Sequence, residues 1–201
     1  MPEESAPRLT PLHEGDLNAA QQQMWTALTA GGRGAKALRE EGYLTGPFDV
    51  LLRAPAVGDA VAGLGDLLRF STELSQRHRE LIIVTVAGRW RARFAWLRHA
   101  VYAQQAGLPP EVLDAIAAGT EPTFADDADR AVHAFVHSLL ETGAVTDEVH
   151  AEAVGLLGVQ QVVELTALAG YYCLCSFVLN AFRVPLPAGT QVPWTGEGTS
   201  R

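Results

Sequence analysis

Residues 77–107 read RHRELIIVTVAGRWRARFAWLRHAVYAQQAG, and this stretch decides the fold. Its spacing predicts two helices back to back. The first, from Gln76 to Arg91, carries Leu81, Ile82, Ile83, Val84, Val86, Ala87 and Trp90. Apolar side chains fall all round it, the pattern of a helix enclosed on every side rather than one half in water. Ser75 stands where an N-cap belongs. Glu80 enters one turn later, with Ile83, Val84 and Ala87 as its same-face neighbours, so its carboxylate must be paired or have its pKa raised.

The second helix sets His99 in a stripe of small residues: Ala92, Ala95, Ala103 and Ala106. Small side chains admit a close neighbour or leave a hollow before the imidazole. Glu80 and His99 are therefore the candidate catalytic pair, able to pass a proton if the helices bring them together. A structural carboxylate and a core histidine are the plainer reading of the same spacing.

The order of several motifs narrows the choice. RELxxxxVA (residues 79–87) is followed by WxxHAxxAxxAGL (residues 96–108). GPFDVLL precedes them at Gly46–Leu52, and VVEL at Val162–Leu165 and GYYxxxxxxLNAFxVPLP at Gly170–Pro187 follow. Together these resemble the carboxymuconolactone decarboxylase family, whose fold is shared with the alkylhydroperoxidase D-like proteins. The resemblance implies an all-α helical bundle built around a central helical hairpin and a long C-terminal helix. It spans residues 44–187 of a single domain, 1–201, with 1–10 and 188–201 as mobile tails.

In redox members of that fold a glutamate precedes a histidine by nineteen residues, with a CxxC pair between them. Glu80 and His99 keep the spacing, but the cysteine stations are Ala92 and Ala95. Non-redox relatives often carry glutamate at the second station, and here Phe94-Ala95-Trp96 stands instead of Tyr-Glu-Trp. The resemblance implies proton-transfer chemistry of decarboxylase, lyase or isomerase type on a small organic acid or carbonyl compound, with no metal and no cofactor. Trp96, Phe48, Tyr102 and Arg98 are the candidate substrate-binding residues, and the Gly46-Pro47-Phe48 turn is expected beside them. A non-catalytic binding or scaffold protein is the alternative. A thiol peroxidase is the third reading, and it lacks its thiolate. Relatives of this fold imply a homo-oligomer, a trimer or hexamer.

Composition agrees with a protein that acts on small molecules. In 201 residues the formal charge is −8, so no basic surface exists to neutralise nucleic-acid phosphates. Arg89, Arg91, Arg93 and Arg98 form the only dense basic group and read as solvated helix ends. Cys173 and Cys175 point apart on a helix and read as core thiols. MPEESAPRLTPL offers no apolar leader segment, and a cytoplasmic location is expected. Leu165–Phe182 runs eighteen residues without a charge, long enough for a membrane span. Its Thr166, Gly170, Tyr171, Tyr172, Ser176 and Asn180 fit a central bundle helix better, so no membrane partner is expected.

The flanking helices follow from periodicity and caps. Asp16 is expected to cap a helix to Ala30, Ala35–Gly42 to form a short charged one, and Phe48–Ala54 and Pro55–Ser71 two more. Asp126–Thr142 is amphipathic, with His133 and His137 assigned to its polar face. Thr146 caps a helix to Leu157, and Val159–Arg183 closes the bundle.

Overall fold

The computed structural model describes residues 6–30 and 37–194. Among them the ordered elements are helical: α1 (Ala19–Ala30), α2 (Pro47–Leu51), α3 (Pro55–Phe70), α4 (Gln76–Arg89), α5 (Arg93–Gln105), α6 (Pro110–Ala118), α7 (Asp127–Thr142), α8 (Asp147–Leu157) and α9 (Val159–Ala181). The described residues hold no strand, only isolated bridges pairing His13 with Tyr43 and Leu38 with Leu44. The all-α expectation holds. Most of Ala35–Gly42 shows no regular helix, and positions 35 and 36 lie outside the described residues.

α4 is the axis of the bundle. Leu81, Ile82, Ile83, Val84 and Val86 have no exposure at all, because α5, α6, α7 and α9 surround it. Ser75 caps it as expected, its Oγ accepting from the His78 amide at 3.0 Å. The helix stops two residues early, at Arg89. Arg91 takes a left-handed backbone conformation (φ 46°), and the Ala92 amide bonds back to the Ala87 carbonyl at 2.9 Å. That is the hydrogen bonding of a Schellman motif, with arginine in the place glycine usually holds. The tight turn lays α5 against α4. Gly88 is needed here for another reason: a Cβ would stand 2.8 Å from Cγ2 of Ile116, so only glycine lets α6 approach.

α9 carries the long uncharged run. It is, among the described residues, the one helix long and apolar enough to cross a membrane, and half of its most apolar window is buried within the bundle. Leu165 and Leu168 are fully enclosed, and Tyr172, Cys175 and Leu179 nearly so. This is the central helix the sequence suggested.

Side-chain caps also start α7 and α8. The Asp126 carboxylate accepts from the Asp129 amide at 3.0 Å, and Thr146 Oγ1 accepts from Val149. Asp16 does not cap α1. It lies in a 3-10 turn, Glu14–Asp16, and Asn18 and Gln21 exchange reciprocal side-chain bonds of 3.0 and 2.9 Å across the helix start. The described residues of the two terminal segments bond to the bundle. The Arg8 amide and guanidinium bond to the carbonyls of Phe182 and Ala181, and the Trp194 indole donates to the Ala117 carbonyl at 2.9 Å.

His133 corrects the sequence reading. It is 4% exposed, not on a solvated face, because the 120–126 connection folds Phe124 over it at 5.3 Å while His137 stacks on its other side at 5.7 Å. Burial, with the neighbouring His137 adding to it, takes its pKa from 6.5 to about 4. A histidine whose folded pKa is depressed contributes stability that is present above 6.5 and lost as pH falls through the window to 4. On this account His133→Leu removes on the order of 3 kcal/mol of the acid-induced loss. Urea unfolding at pH 7 and pH 4 measures it, and identical pH dependence in the two proteins would contradict the assignment.

Candidate active site

Four helices converge on one point. α4 contributes Glu80, α5 contributes His99, α9 contributes Tyr172 and α3 contributes Arg69. Glu80 Oε2 lies 2.6 Å from His99 Nδ1, and its other oxygen accepts from Arg69 Nη2 at 3.3 Å. On the far side of the ring, His99 Nε2 faces the Tyr172 hydroxyl at 3.4 Å. Glu80 and His99 are 2% and 6% exposed, so the pair is almost wholly out of water.

The contacts suit one tautomer of His99. An ionised carboxylate only accepts, so the Nδ1 proton of His99 points at Glu80. Nε2 then carries the lone pair, and the Tyr172 hydroxyl donates toward it. Burial lowers the His99 pKa below its usual value, outweighing the hydrogen bond and the charge of Glu80, with Arg69 and Arg98 lowering it further. Burial also raises the Tyr172 pKa, keeping the phenol protonated. The result is a neutral imidazole at pH 7 with a basic nitrogen directed away from its carboxylate.

This chain opens on a cavity of about 880 Å³. Arg69, Glu80, His99 and Tyr172 all line it, as do Phe48, Tyr102 and Arg98 from the candidate substrate-binding set. The Gly46-Pro47-Phe48 turn is brought in by a tight contact: a Cβ on Gly46 (φ 71°) would sit 2.7 Å from the Phe94 ring, and Phe94 is itself a wall. Tyr102 stands edge-on to His99, ring centroids 5.8 Å apart. The remaining walls are mostly apolar and aromatic, with Asp59, Asp66, Gln76 and Gln105 adding polar groups.

Trp96 is a correction. It does not line the cavity but packs edge-on against Trp194 at 4.9 Å. At about 100° per residue, Ala95, Tyr102 and Arg98 fall on one flank of His99 and Trp96 on the other. The four arginines also part company. Arg98 reaches the cavity, whereas Arg89 pairs with Glu141 at 2.6 Å and lies over the Trp90 ring. The cysteines divide as well: Cys173 Sγ accepts from the Trp90 indole at 3.4 Å, while buried Cys175 reaches the cavity wall.

Arg69, Tyr172 and Cys175 were not among the sequence candidates. The Gly-Tyr-Tyr motif, quoted for the resemblance alone, lies on the helix that faces His99, and Tyr172 is the tyrosine that meets it. Nothing in the sequence around Arg69 marks it.

The fold is that of the alkylhydroperoxidase D-like proteins. No family model matches the sequence, and no curated protein is significantly similar to it. Solved structures are. An "alkylhydroperoxidase AhpD core: uncharacterized peroxidase-related protein" from Ralstonia eutropha JMP134 superposes with a TM-score of 0.71 at 15% identity, covering 92% of this chain and 95% of that one. A peroxidase-related protein from Silicibacter sp. TM1040 gives 0.66 at 13% identity over 94% and 95% of the two chains. The debrominase Bmp8, as a cysteine-to-alanine variant with 2,3,4-tribromopyrrole, gives 0.68 at 15% identity over 92% and 95%.

Proposed function

We propose that this protein is a carboxymuconolactone decarboxylase-like enzyme that moves protons on a small organic acid or carbonyl compound through Glu80 and His99. The observation that carries the reading is the hydrogen-bonded chain Arg69–Glu80–His99–Tyr172 opening on the cavity. His99 Nε2 is the base. It takes a proton from carbon next to a carbonyl or carboxylate, and Glu80 stabilises the imidazolium that forms. Arg98 offers a cation for the substrate's negative charge, and the Tyr172 hydroxyl is placed to hydrogen-bond the oxygen that becomes enolate-like. The proton held on Nε2 then passes to a different carbon, giving isomerisation. From a β-keto acid, carbon dioxide instead leaves without prior deprotonation, the electrons of the broken C–C bond form the enolate, and a proton drawn from solvent fills the vacated place on carbon.

The thiol route of the redox relatives requires a nucleophilic thiolate. Ala92 is fully buried at one of its stations, and the other, Ala95, presents only a methyl group to the cavity. The test is exchange: small keto acids and lactones are incubated with the protein in D2O, and deuterium entering the α-carbon is followed by NMR. Enzyme-dependent exchange that disappears in His99→Ala supports the reading. Binding without exchange across the panel would favour the non-catalytic alternative.

The same reading includes self-association, as a trimer or hexamer. α3 exposes Val57, Leu64, Leu67 and Phe70, and α9 exposes Val159, Val163 and Phe177, each at 47% or more. Phe70 also lines the cavity, which would set a subunit boundary near its mouth. Light scattering should return a mass of three or six chains, and a monomer at micromolar concentration would contradict it.

A further inference from the structure

A second polar cluster lies where the first turn of α4 meets the start of α7, away from the cavity. His78 and Glu80 are two residues apart, so on α4 they point about 200° from each other. His78, Asp126 and Asp129 each bring a ligand-type atom to within 4.8 Å of the others. Asp129 is 1% exposed. One of its oxygens is held by Arg77, Nε at 2.8 Å and Nη2 at 2.6 Å. The other, Oδ1, is buried with no hydrogen-bond partner, and so is His78 Nδ1.

A buried carboxylate oxygen without a donor is costly, and native structures rarely leave one so. The neighbour it does face is His78 Nε2 at 3.6 Å. That separation is too long for a hydrogen bond. It is close to the spacing of two ligands on one ion: bonds of about 2.0–2.2 Å at tetrahedral angles put nitrogen and oxygen roughly 3.4 Å apart. Asp126 gives Oδ1 to the Asp129 amide, and its carboxylate also meets the Ala128 amide. On its exposed side chain a carboxylate oxygen lies within 4.8 Å of the other two ligand atoms and would close by about an ångström on an ion. Arg77 acts from behind, fixing Asp129 so that Oδ1 stays directed at the centre.

We propose that His78, Asp126 and Asp129 form a binding site for a divalent transition-metal ion of Zn2+ chemistry, with water completing its coordination. One imidazole and two carboxylates are ligands such an ion accepts, and the bound ion would tie the start of α4 to the start of α7.

The test is calorimetric titration of Zn2+ into untagged, chelator-stripped full-length protein, with Co2+ absorption spectra as a second readout. One ion should bind per chain, and bound Zn2+ should raise the melting temperature. His78→Gln and Asp126→Asn should each weaken binding by at least about tenfold, Asp126→Asn keeping the cap oxygen while removing the second carboxylate oxygen. No binding at millimolar Zn2+ would overturn the proposal, as would unchanged affinity in both variants. Binding abolished instead by His137→Ala would overturn it too, by placing the ion on the His133–His137 pair.

Discussion

His99→Ala is expected to lower turnover by about 10²–10⁴-fold, the usual contribution of a positioned acid–base group. The loss should fall on kcat rather than on substrate binding, since the walls formed by Phe48, Tyr102 and Arg98 remain. Glu80→Gln should approach the same loss. The amide is nearly isosteric but carries no charge to stabilise an imidazolium at Nδ1, 2.6 Å away. The pH profile gives an independent check. Burial depresses the His99 pKa, so the imidazole remains neutral below the pH at which an exposed histidine protonates. Activity should therefore persist below pH 6.5 before its acid limb begins. Depression also means that His99, like His133, destabilises the fold as pH drops below 6.5, because the unfolded chain then binds more protons.

The second large effect belongs to Arg69. Its side chain is 17% exposed against 3% for that of Glu80, so Arg69→Leu leaves a carboxylate buried with less compensation. Removing one partner of a buried pair costs about 3–5 kcal/mol. The lower end is expected here, because His99 remains hydrogen-bonded to Glu80 and Arg79 lies close enough to feel its charge. Adding Glu80→Gln to Arg69→Leu should recover much of the loss in urea unfolding, since no buried charge is then left behind. Arg69 also lowers the His99 pKa, so the Arg69→Leu imidazole should titrate at higher pH than the wild-type one by NMR. Unchanged stability and unchanged titration would show that Arg69 is not coupled to the pair.

The sequence revealed most where one element sufficed to explain itself. α4 was legible because its apolar residues leave no polar face, and Ser75 and Thr146 because a cap is a local hydrogen bond. Asp126, expected inside its helix, proved to be the cap before it. The nineteen-residue interval between Glu80 and His99 was legible through the resemblance, and the turn at Arg91 makes it meaningful by folding α5 back on α4. What depended on distant elements was not legible. Arg69 meets Glu80 from α3, and Tyr172 meets His99 from a helix seventy-three residues on. Trp96 failed because a helical wheel does not say which flank of His99 faces the hollow. His133 failed because its cover, Phe124, comes from an irregular connection with no periodicity to read.

The central claim is that Glu80 and His99 act as one proton-transfer unit. The most direct measurement is a double-mutant cycle in turnover on whichever substrate shows exchange: wild type, Glu80→Gln, His99→Ala and the pair, with helical content checked by circular dichroism. The account predicts that the double variant is scarcely slower than either single one, since removing either residue disables the unit. Independent losses that multiply in the double variant, or full activity in His99→Ala, would contradict it.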